Sequence, residues 1–284
     1  MVDSKQYKCV NCGEAAAALY KTYGPSVLKL TKCDKCNGIV DKYIEYDPVI
    51  VMIDLVLVSR EAQRHVLYNT EFKAYWKLFI ILIMIETYGL WRSDSLFNIA
   101  VNTICGIQTN SSTLNTTLLS MYIPMELEVP ESFKSQCSGW QPEVRVDDTD
   151  LFIWERDFYI QFLSTFAGVT AFILTVHVSM LFLKSFVNQN EAHLSQLLKA
   201  FALAHVSILL TLPTLVWGAG DTPPSTRAAH YALVFVYGFT VYLNTFTVLY
   251  ECPLVITTLI LTASNCAKFL TTYHSTPLIR RLLQ

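Results

Sequence analysis

Four cysteines near the N-terminus have the spacing of ligands to a single metal ion. They form two Cys-x-x-Cys pairs separated by about twenty residues, and the four ligand candidates are Cys9, Cys12, Cys33 and Cys36. Each pair presents two thiolates to one side of a tetrahedron, so the two pairs together predict a zinc ribbon. Four thiolates leave no open coordination position, and the predicted zinc is therefore structural and activates no water. Gly13 and Gly38 follow the two pairs, where we expect tight turns.

A redox dithiol is the competing interpretation of these cysteines. Such a site usually consists of one Cys-x-x-Cys pair beside a βαβ pattern, whereas this segment has two pairs and no such pattern. A head of about 45 residues is also too small to fold around an apolar core alone, so bound metal would supply much of its folding free energy. We therefore expect residues 1–46 to form a zinc-ribbon domain with zinc as a structural cofactor.

Four ionisable residues lie at or within long apolar segments, where such groups are costly and often functional. They are Glu86, His177, His205 and Glu251. As a set they suggest a polar path or a site for a lipid hydroxyl. Taken singly, the histidines are interpreted as hydrogen-bonded packing residues and the glutamates as solvated residues near the ends of spans. The sequence contains no Gly-rich phosphate loop and no nucleophile elbow, so we expect no enzyme activity.

The composition is that of a membrane protein. Hydrophobic residues make up 52% of the 284 residues and charged residues only 15%, against roughly a quarter in soluble domains. The net charge of −2 shows no basic excess, which argues against nucleic acid as a partner of the ribbon. The sequence therefore predicts an α-helical multi-pass membrane protein with about four transmembrane helices and a small N-terminal zinc-ribbon domain.

The apolar segments set the predicted spans, since about twenty residues are needed to cross a bilayer. The four spans are predicted at residues 74–91, 158–183, 201–220 and 228–250. After Glu251-Cys252-Pro253, residues 254–267 are short for a span and are interpreted as either a marginal fifth span or an interfacial helix. Residues 49–58 are shorter still. Asp47-Pro48 favours a helix start there, and the segment is either an interfacial helix or a core helix of the head.

The distribution of basic residues predicts the orientation of the chain. Residues 1–20 show no signal peptide, and Arg60, Arg64, Lys73 and Lys77 precede the first span, so the head is expected in the cytosol. The acid-rich residues 93–157 then form a luminal loop. Glycosylation sequons at Asn110 and Asn115 agree, as does the pair Cys105 and Cys137, because glycosylation and disulfides both need the lumen. Lys268, Arg280 and Arg281 favour a cytosolic C-terminus and therefore four spans.

An ordered series of motifs in the first 72 residues resembles the Arv homology domain. The series consists of residues 7–13, residues 33–36, Asp47-Pro48, residues 53–57 and residues 64–69, the last reading Arg-His-Val-Leu-Tyr-Asn. The resemblance is close over about residues 5–72, whereas the remainder agrees only in being polytopic.

The resemblance implies an Arv family protein of the endoplasmic reticulum membrane. It implies roles in sterol homeostasis, in movement of sterol out of that membrane and in glycosylphosphatidylinositol anchor synthesis. The four cysteines correspond to the zinc ligands of the family, and no catalytic residue carries over. Expected partners are membrane lipids including sterol, and glycosylphosphatidylinositol-synthesis enzymes.

Three domains follow from these observations. Residues 1–46 are the expected cytosolic zinc ribbon, residues 47–73 an interfacial helix of the Arv homology domain, and residues 74–284 the membrane domain with its luminal loop. The expected function is non-enzymatic mediation of sterol and lipid homeostasis. The alternative is an accessory subunit or scaffold of a lipid- or anchor-synthesising complex without intrinsic transport.

Overall fold

The computed structural model describes residues 7–24, 27–92, 95–105, 133, 135, 137–140, 151–184, 194–217 and 224–283. The predicted glycosylation sites Asn110 and Asn115 lie outside these residues. Within them the protein is a helical bundle with a small N-terminal head of two antiparallel hairpins. This confirms the predicted fold class.

The head is built from four short strands. The strands are β1 (Tyr7–Lys8), β2 (Ala15–Ala16), β3 (Tyr20–Gly24) and β4 (Val27–Leu30). The first cysteine turn connects β1 to β2 and the second follows β4. β1 pairs with β2 and β3 pairs with β4, both antiparallel. Two short helices follow, and they are α1 (Pro48–Val56) and α2 (Arg60–Arg64), the second continued by a π-helical turn (His65–Asn69). α1 begins as the sequence predicts, because the Asp47 side chain accepts from the Val49 N–H and Pro48 occupies the first turn.

Seven helices make up the rest of the described chain. They are α3 (Tyr75–Trp91), α4 (Leu96–Cys105), α5 (Leu151–Lys184), α6 (Leu194–His205), α7 (Leu212–Trp217), α8 (Pro224–Tyr250) and α9 (Leu254–Leu282). A 3-10 helix (Val206–Thr211) joins α6 to α7. The expected loop 93–157 thus contains a helix of its own, α4, and the start of α5. Asn98 in α4 is accommodated because its side-chain amide donates to the Leu90 carbonyl at 2.7 Å.

Four helical segments of the described chain are long and apolar enough to cross a membrane. They are Phe152–Leu183, Leu194–Thr211, Ala229–Tyr250 and Leu254–Leu282. The predicted first span, residues 74–91, corresponds to α3 and is not among these four. α3 has 17 residues, about 25 Å of helix, and packs against α5 and α6. The predicted third span begins earlier than residue 201, at Leu194. The segment 254–267, which the sequence suggested was too short, belongs to a 29-residue helix.

The reason for the longer C-terminal helix is that Lys268 does not end the membrane segment. Its ammonium lies 2.6 Å from the carboxylate of Glu86 on α3, so its charge is compensated inside the bundle. A span prediction that counts charges along the sequence ends the span at such a lysine. The structure shows that it is an interior residue.

The head and the disulfide lie at opposite ends of the bundle. The head contacts the turn between α8 and α9, where Lys8 Nζ lies 2.8 Å from Glu251 Oε1 and Tyr68 donates to the Leu249 carbonyl at 3.1 Å. At the other end, Cys105 and Cys137 are joined by a disulfide. Trp140 Nε1, close to that disulfide, donates to the carbonyl of Tyr273 in α9 at 3.2 Å.

The C-terminal end of α9 therefore lies away from the head, whereas the basic residues of the tail favoured a C-terminus on the same side as the head. The physical reason is that two of these charges, those of Lys268 and Arg280, are engaged within the protein. Arg280 lies 3.3 Å from Asp157 and donates to the Gly139 carbonyl at 2.5 Å. An arginine that is paired in this way contributes little to the basic charge that orients a chain in the membrane.

The hydrophobic core lies where α3, α5, α6, α8 and α9 meet. Its fully buried members include large aromatic and aliphatic side chains, namely Ile83, Val169, Phe172, Phe201, Phe246 and Leu261. Leu67 of the π-helical turn joins the same cluster. The core therefore begins in the segment that connects the head to the bundle, which holds the head against the bundle end.

Candidate functional site

The two cysteine pairs form two nearly equivalent turns. The Gly13 N–H donates to the Cys9 carbonyl and the Asn37 N–H donates to the Cys33 carbonyl, each at 2.9 Å. Both donors have left-handed backbone angles, with φ of 80° at Gly13 and 56° at Asn37. The left-handed residue of the second turn is thus Asn37 and not Gly38 as expected. Asparagine is one of the few residues that adopts this conformation readily.

The four sulfur atoms are arranged as a tetrahedral metal site requires. Sγ of Cys9 lies 3.8 Å from that of Cys36, and Sγ of Cys12 lies 3.6 Å from that of Cys33. All four ligand atoms lie within 4.8 Å of one another. A tetrahedron with Zn–S bonds of about 2.3 Å has edges of about 3.8 Å. The four thiols thus fit one metal ion, with each edge measured above joining the two turns.

The pKa values of the thiols differ because the surroundings of their sulfur atoms differ. Burial raises the pKa of Cys9 to about 12. The backbone N–H groups of Cys36 and Lys35 donate to Cys33 and lower its pKa to about 7. Metal binding needs thiolates, so a bound cation would have to displace the proton of Cys9, whereas about half of the Cys33 thiols are already ionised at neutral pH.

Residues of the following motif hold the first cysteine turn in place. Arg64 Nη1 donates to the carbonyls of Val10 at 2.7 Å and Asn11 at 2.9 Å. Asn69 acts like a strand neighbour of β1, because it accepts from the Lys8 N–H at 3.0 Å and donates to the Lys8 carbonyl at 2.9 Å. The ribbon and residues 60–69 are therefore one packed unit.

Asp41 connects the segments of this unit by accepting hydrogen bonds from three of its residues. Its carboxylate is fully buried and accepts from the Tyr43 N–H at 3.0 Å, from Asn69 Nδ2 at 2.7 Å and from His65 Nδ1 at 2.7 Å. A buried carboxylate is tolerated only when it is satisfied in this way. Asp41 thus links the metal-binding segment to the helix that enters the bundle.

A second polar cluster lies inside the bundle. Glu86 on α3 contacts Lys268 of α9 at 2.6 Å and His205 Nε2 at 3.1 Å, and Tyr242 of α8 contacts His205 Nδ1 at 2.9 Å. The side chains of Glu86, His205 and Lys268 are at most 13% exposed. Glu86 Oε2 accepts no well-directed hydrogen bond from the described residues. It therefore keeps the capacity to accept one more donor.

This cluster lines a cavity of about 160 Å³. The remaining walls are mainly apolar and include Leu96, Phe97, Phe235, Phe239 and Phe269. A mostly apolar cavity with a few convergent polar groups is the usual form of a small-molecule site. At about 160 Å³ the cavity is close to the size that holds benzene, so it suits the polar end of a largely apolar molecule.

Comparison with known proteins shows which protein family the chain is related to. Residues 8–241 match the Arv1-like family, which is most of the chain. The chain belongs to the Arv1-like family. The matched residues include the four cysteines, the motif at residues 64–69, Glu86 and His205, whereas Tyr242 and Lys268 follow the matched region.

The curated relatives carry names of the same family. Protein ARV1 of Bos taurus is 28% identical over 224 residues, covering 79% of this chain and 64% of the relative. Protein ARV1 of Homo sapiens is 29% identical over 214 residues, covering 75% of this chain and 63% of the relative. A homologue from Dictyostelium discoideum is 36% identical over 93 residues, covering 29% of this chain and 38% of the relative. The chain thus spans just under two thirds of the first two relatives. No solved structure matches.

The four predicted intramembrane residues separate into two groups. Glu86 and His205 meet in the cavity. Glu251 instead lies at the turn between α8 and α9 with left-handed φ of 53°, half exposed and paired with Lys8, as its position at a span boundary suggested. His177 is partly buried on α5 and does not line the cavity.

Sequence reasoning missed Lys268 and Tyr242 in the cavity and Asp41 in the head. Lys268 interrupts an otherwise apolar helix, which is a usable signal, because a lysine within a span implies a partner of opposite charge. Asp41 and Tyr242 carry no comparable local signal. Their partners lie 24 and 37 residues away in the chain.

Proposed function

We propose that this protein is a non-enzymatic mediator of sterol and lipid homeostasis in the endoplasmic reticulum membrane. It acts in intracellular sterol transport and in glycosylphosphatidylinositol anchor synthesis. Family membership supports the general role, and the cavity at Glu86 is the observation that carries the lipid-binding part. A sterol has one hydroxyl on an otherwise apolar body. That hydroxyl can donate to the second acceptor position of Glu86 Oε2, whose other neighbour is His205 Nε2 at 3.1 Å. A cavity of about 160 Å³ is close to the size that holds benzene, so it would enclose the hydroxyl end of the sterol and the remaining rings would extend beyond it.

The metal of the four-cysteine site is zinc in this proposal. Tetrahedral thiolate sites are typical of structural zinc, and zinc supplies folding free energy here and no chemistry. Cys9, Cys12, Cys33 and Cys36 would hold it. The enzyme hypothesis has no support from this site, because four protein ligands leave no position for water or substrate.

The orientation in this proposal is a cytosolic head and a luminal far end. The Cys105–Cys137 disulfide supports it, since disulfides persist in oxidising compartments such as the lumen of the endoplasmic reticulum. The four thiols of the head are unbonded to one another, which is consistent with a reducing cytosol.

A reconstituted transfer assay tests the lipid part of the proposal. Purified full-length protein in liposomes is expected to accelerate movement of a fluorescent sterol to acceptor vesicles above the rate of protein-free vesicles. The informative variant is the double substitution Glu86→Gln with Lys268→Met, which removes both charges and so leaves no unpaired buried ion. Losing a hydrogen bond to a charged group costs about 1.5–3 kcal/mol, so sterol binding should fall at least about tenfold.

The matched control removes another Glu–Lys pair from a different place. Glu71 and Lys73 form an exposed ion pair at 2.7 Å, and Glu71→Gln with Lys73→Met should leave sterol binding and transfer unchanged. Equal binding by wild type and the cavity variant would refute the assigned site. No transfer above protein-free vesicles, combined with copurification of a glycosyltransferase complex, would favour the accessory-subunit alternative.

A further inference from the structure

Helix α1 presents an apolar surface that nothing in the described chain covers. Five apolar side chains within residues 49–57 are more than half exposed, and they are Val49, Met52, Ile53, Val56 and Leu57. Contiguous apolar patches of this kind on a soluble surface mark an interaction site. Whatever covers this surface must be apolar and must contact the whole exposed face of α1.

The opposite face of α1 is packed against the head. Val51 and Leu55 contact a cluster formed by Val10, Tyr43 and Ala62. Asp54, the one charged residue of the helix, accepts from the Tyr43 hydroxyl at 2.7 Å. The helix is therefore fixed in place, and its outward face contains no charged side chain.

The end of α1 reaches deep along α8. The Tyr237 hydroxyl donates to the Val56 carbonyl at 2.8 Å, and Asn244 Nδ2 donates to the Val58 carbonyl at 2.7 Å. Both donors belong to the candidate span Ala229–Tyr250. At 1.5 Å per residue, Tyr237 lies roughly 20 Å along the helix axis from its head end at Tyr250. Asn244, which binds Val58, lies roughly 9 Å from the same end. Residues 56–58 are therefore roughly 9–20 Å below Tyr250, within a hydrocarbon core about 30 Å thick that begins near that residue.

The turn after α1 has its backbone satisfied by protein. Val58 is left-handed with φ of 59°, so the helical hydrogen-bond ladder stops there. Tyr237 and Asn244 take the carbonyls of Val56 and Val58, and the Ser59 N–H donates to the Asp54 carbonyl at 2.9 Å. In water such a turn needs no side-chain donors. Inside a bilayer, non-helical backbone is tolerated only where protein satisfies it.

We infer that residues 48–64 form a re-entrant hairpin that enters the hydrocarbon region beside α8, with lipid acyl chains covering its outer face. α1 descends and α2 returns toward the head. Glu61 of α2 is paired with Lys42. Arg60 Nε donates to the neutral Asn244 Oδ1 at 2.9 Å, which orients the guanidinium without neutralising it, so the exposed Arg60 side chain extends toward the headgroups on the head side. The hairpin goes deeper than the interfacial helix that the sequence suggested. It does not depend on the proposed lipid-transfer function.

Photolabelling of the wild-type protein tests this inference. Full-length protein in phosphatidylcholine liposomes is irradiated with a phosphatidylcholine that carries a diazirine at the middle of an acyl chain, and labelled peptides are mapped by mass spectrometry. Labels are expected on Met52, Val56 and Leu57. The internal control is the β3–β4 hairpin of the head, where Tyr23 is 67% exposed, similar to Leu57 at 72%, and should stay unlabelled.

Two labelling outcomes would overturn the inference. Labelling of residues 49–57 only by a diazirine placed on the headgroup would mean that α1 lies on the membrane surface. Absence of label from both probes would mean that the face is covered by something other than lipid. A paired variant adds an independent readout, because Leu57→Lys should lower the thermal stability in liposomes far more than Tyr23→Lys. Equal effects of the two lysines would also overturn it.

Discussion

Asn69→Ala is the most direct test of how the metal-binding head is held together. Asn69 is buried and makes three hydrogen bonds, two to the backbone of Lys8 and one to Asp41. Each bond is worth about 1 kcal/mol, and the substitution also leaves an oxygen of the buried Asp41 carboxylate with one donor fewer. We expect a loss of about 3 kcal/mol in the free energy of unfolding of the head, roughly a hundredfold in its equilibrium constant.

The assay uses full-length zinc-loaded protein in detergent micelles. Release of zinc to a chromophoric chelator, followed against urea concentration, reports opening of the head. With a slope of about 1–3 kcal/mol per molar urea, the midpoint should fall by about 1–3 M. Asn69→Asp should be at least as destabilising, since it turns the donor to Asp41 into a second carboxylate.

Asn11→Ala is the matched control for the same side-chain truncation. Asn11 makes one exposed hydrogen bond, from Nδ2 to the Ile39 carbonyl at 3.1 Å. Its removal should cost less than about 1 kcal/mol. If Asn69→Ala shifts the midpoint no more than Asn11→Ala does, the docking of residues 64–69 on the ribbon contributes nothing and the reasoning fails.

Three further predictions address other parts of the molecule. Cys33→Ser should abolish stoichiometric zinc, measured by elemental analysis of the purified protein, and lower its abundance; full retention of zinc would exclude the assigned site. Lys268→Met alone should destabilise the bundle by about 3–5 kcal/mol, and adding Glu86→Gln should recover much of that loss, as judged by thermal unfolding in a double-mutant cycle. Tags at the two termini should lie on opposite sides of the membrane, so in sealed microsomes protease should digest one tag and spare the other; digestion of both tags, or protection of both, would contradict the position of α9.

The metal centre was accessible to sequence reasoning because its determinants are local. The spacing within and between the two cysteine pairs predicts that four sulfur atoms can converge, and they do. The one local error concerns Gly38. Glycine and asparagine both adopt left-handed backbone, and the deciding factor is the place directly after the second cysteine, which Asn37 occupies.

The bundle was only partly accessible because its charges are paired over long distances. Glu86 and Lys268 are 182 residues apart in sequence, so neither hydropathy nor periodicity shows that they neutralise each other. The sequence therefore placed Lys268 outside the membrane segment. A second long-range ion pair explains why the predicted side of the C-terminus differs from the structure. Arg280 is paired with Asp157 and does not act as a free basic flank.

The contact between the head and the α8–α9 turn has a consequence for biosynthesis. Tyr68, Arg60 and Lys8 meet partners that lie 181, 184 and 243 residues later in the chain. At about 5–20 residues per second, the ribosome needs roughly 10 to 40 seconds to make the first of these partners after the head has emerged. During that interval the head can take up metal, but the carbonyls of Val56 and Val58 have not yet met their donors Tyr237 and Asn244 on α8. Docking of the head is thus a late step of assembly, and a chain truncated before α8 would leave the ribosome without the side-chain donors for these two carbonyls.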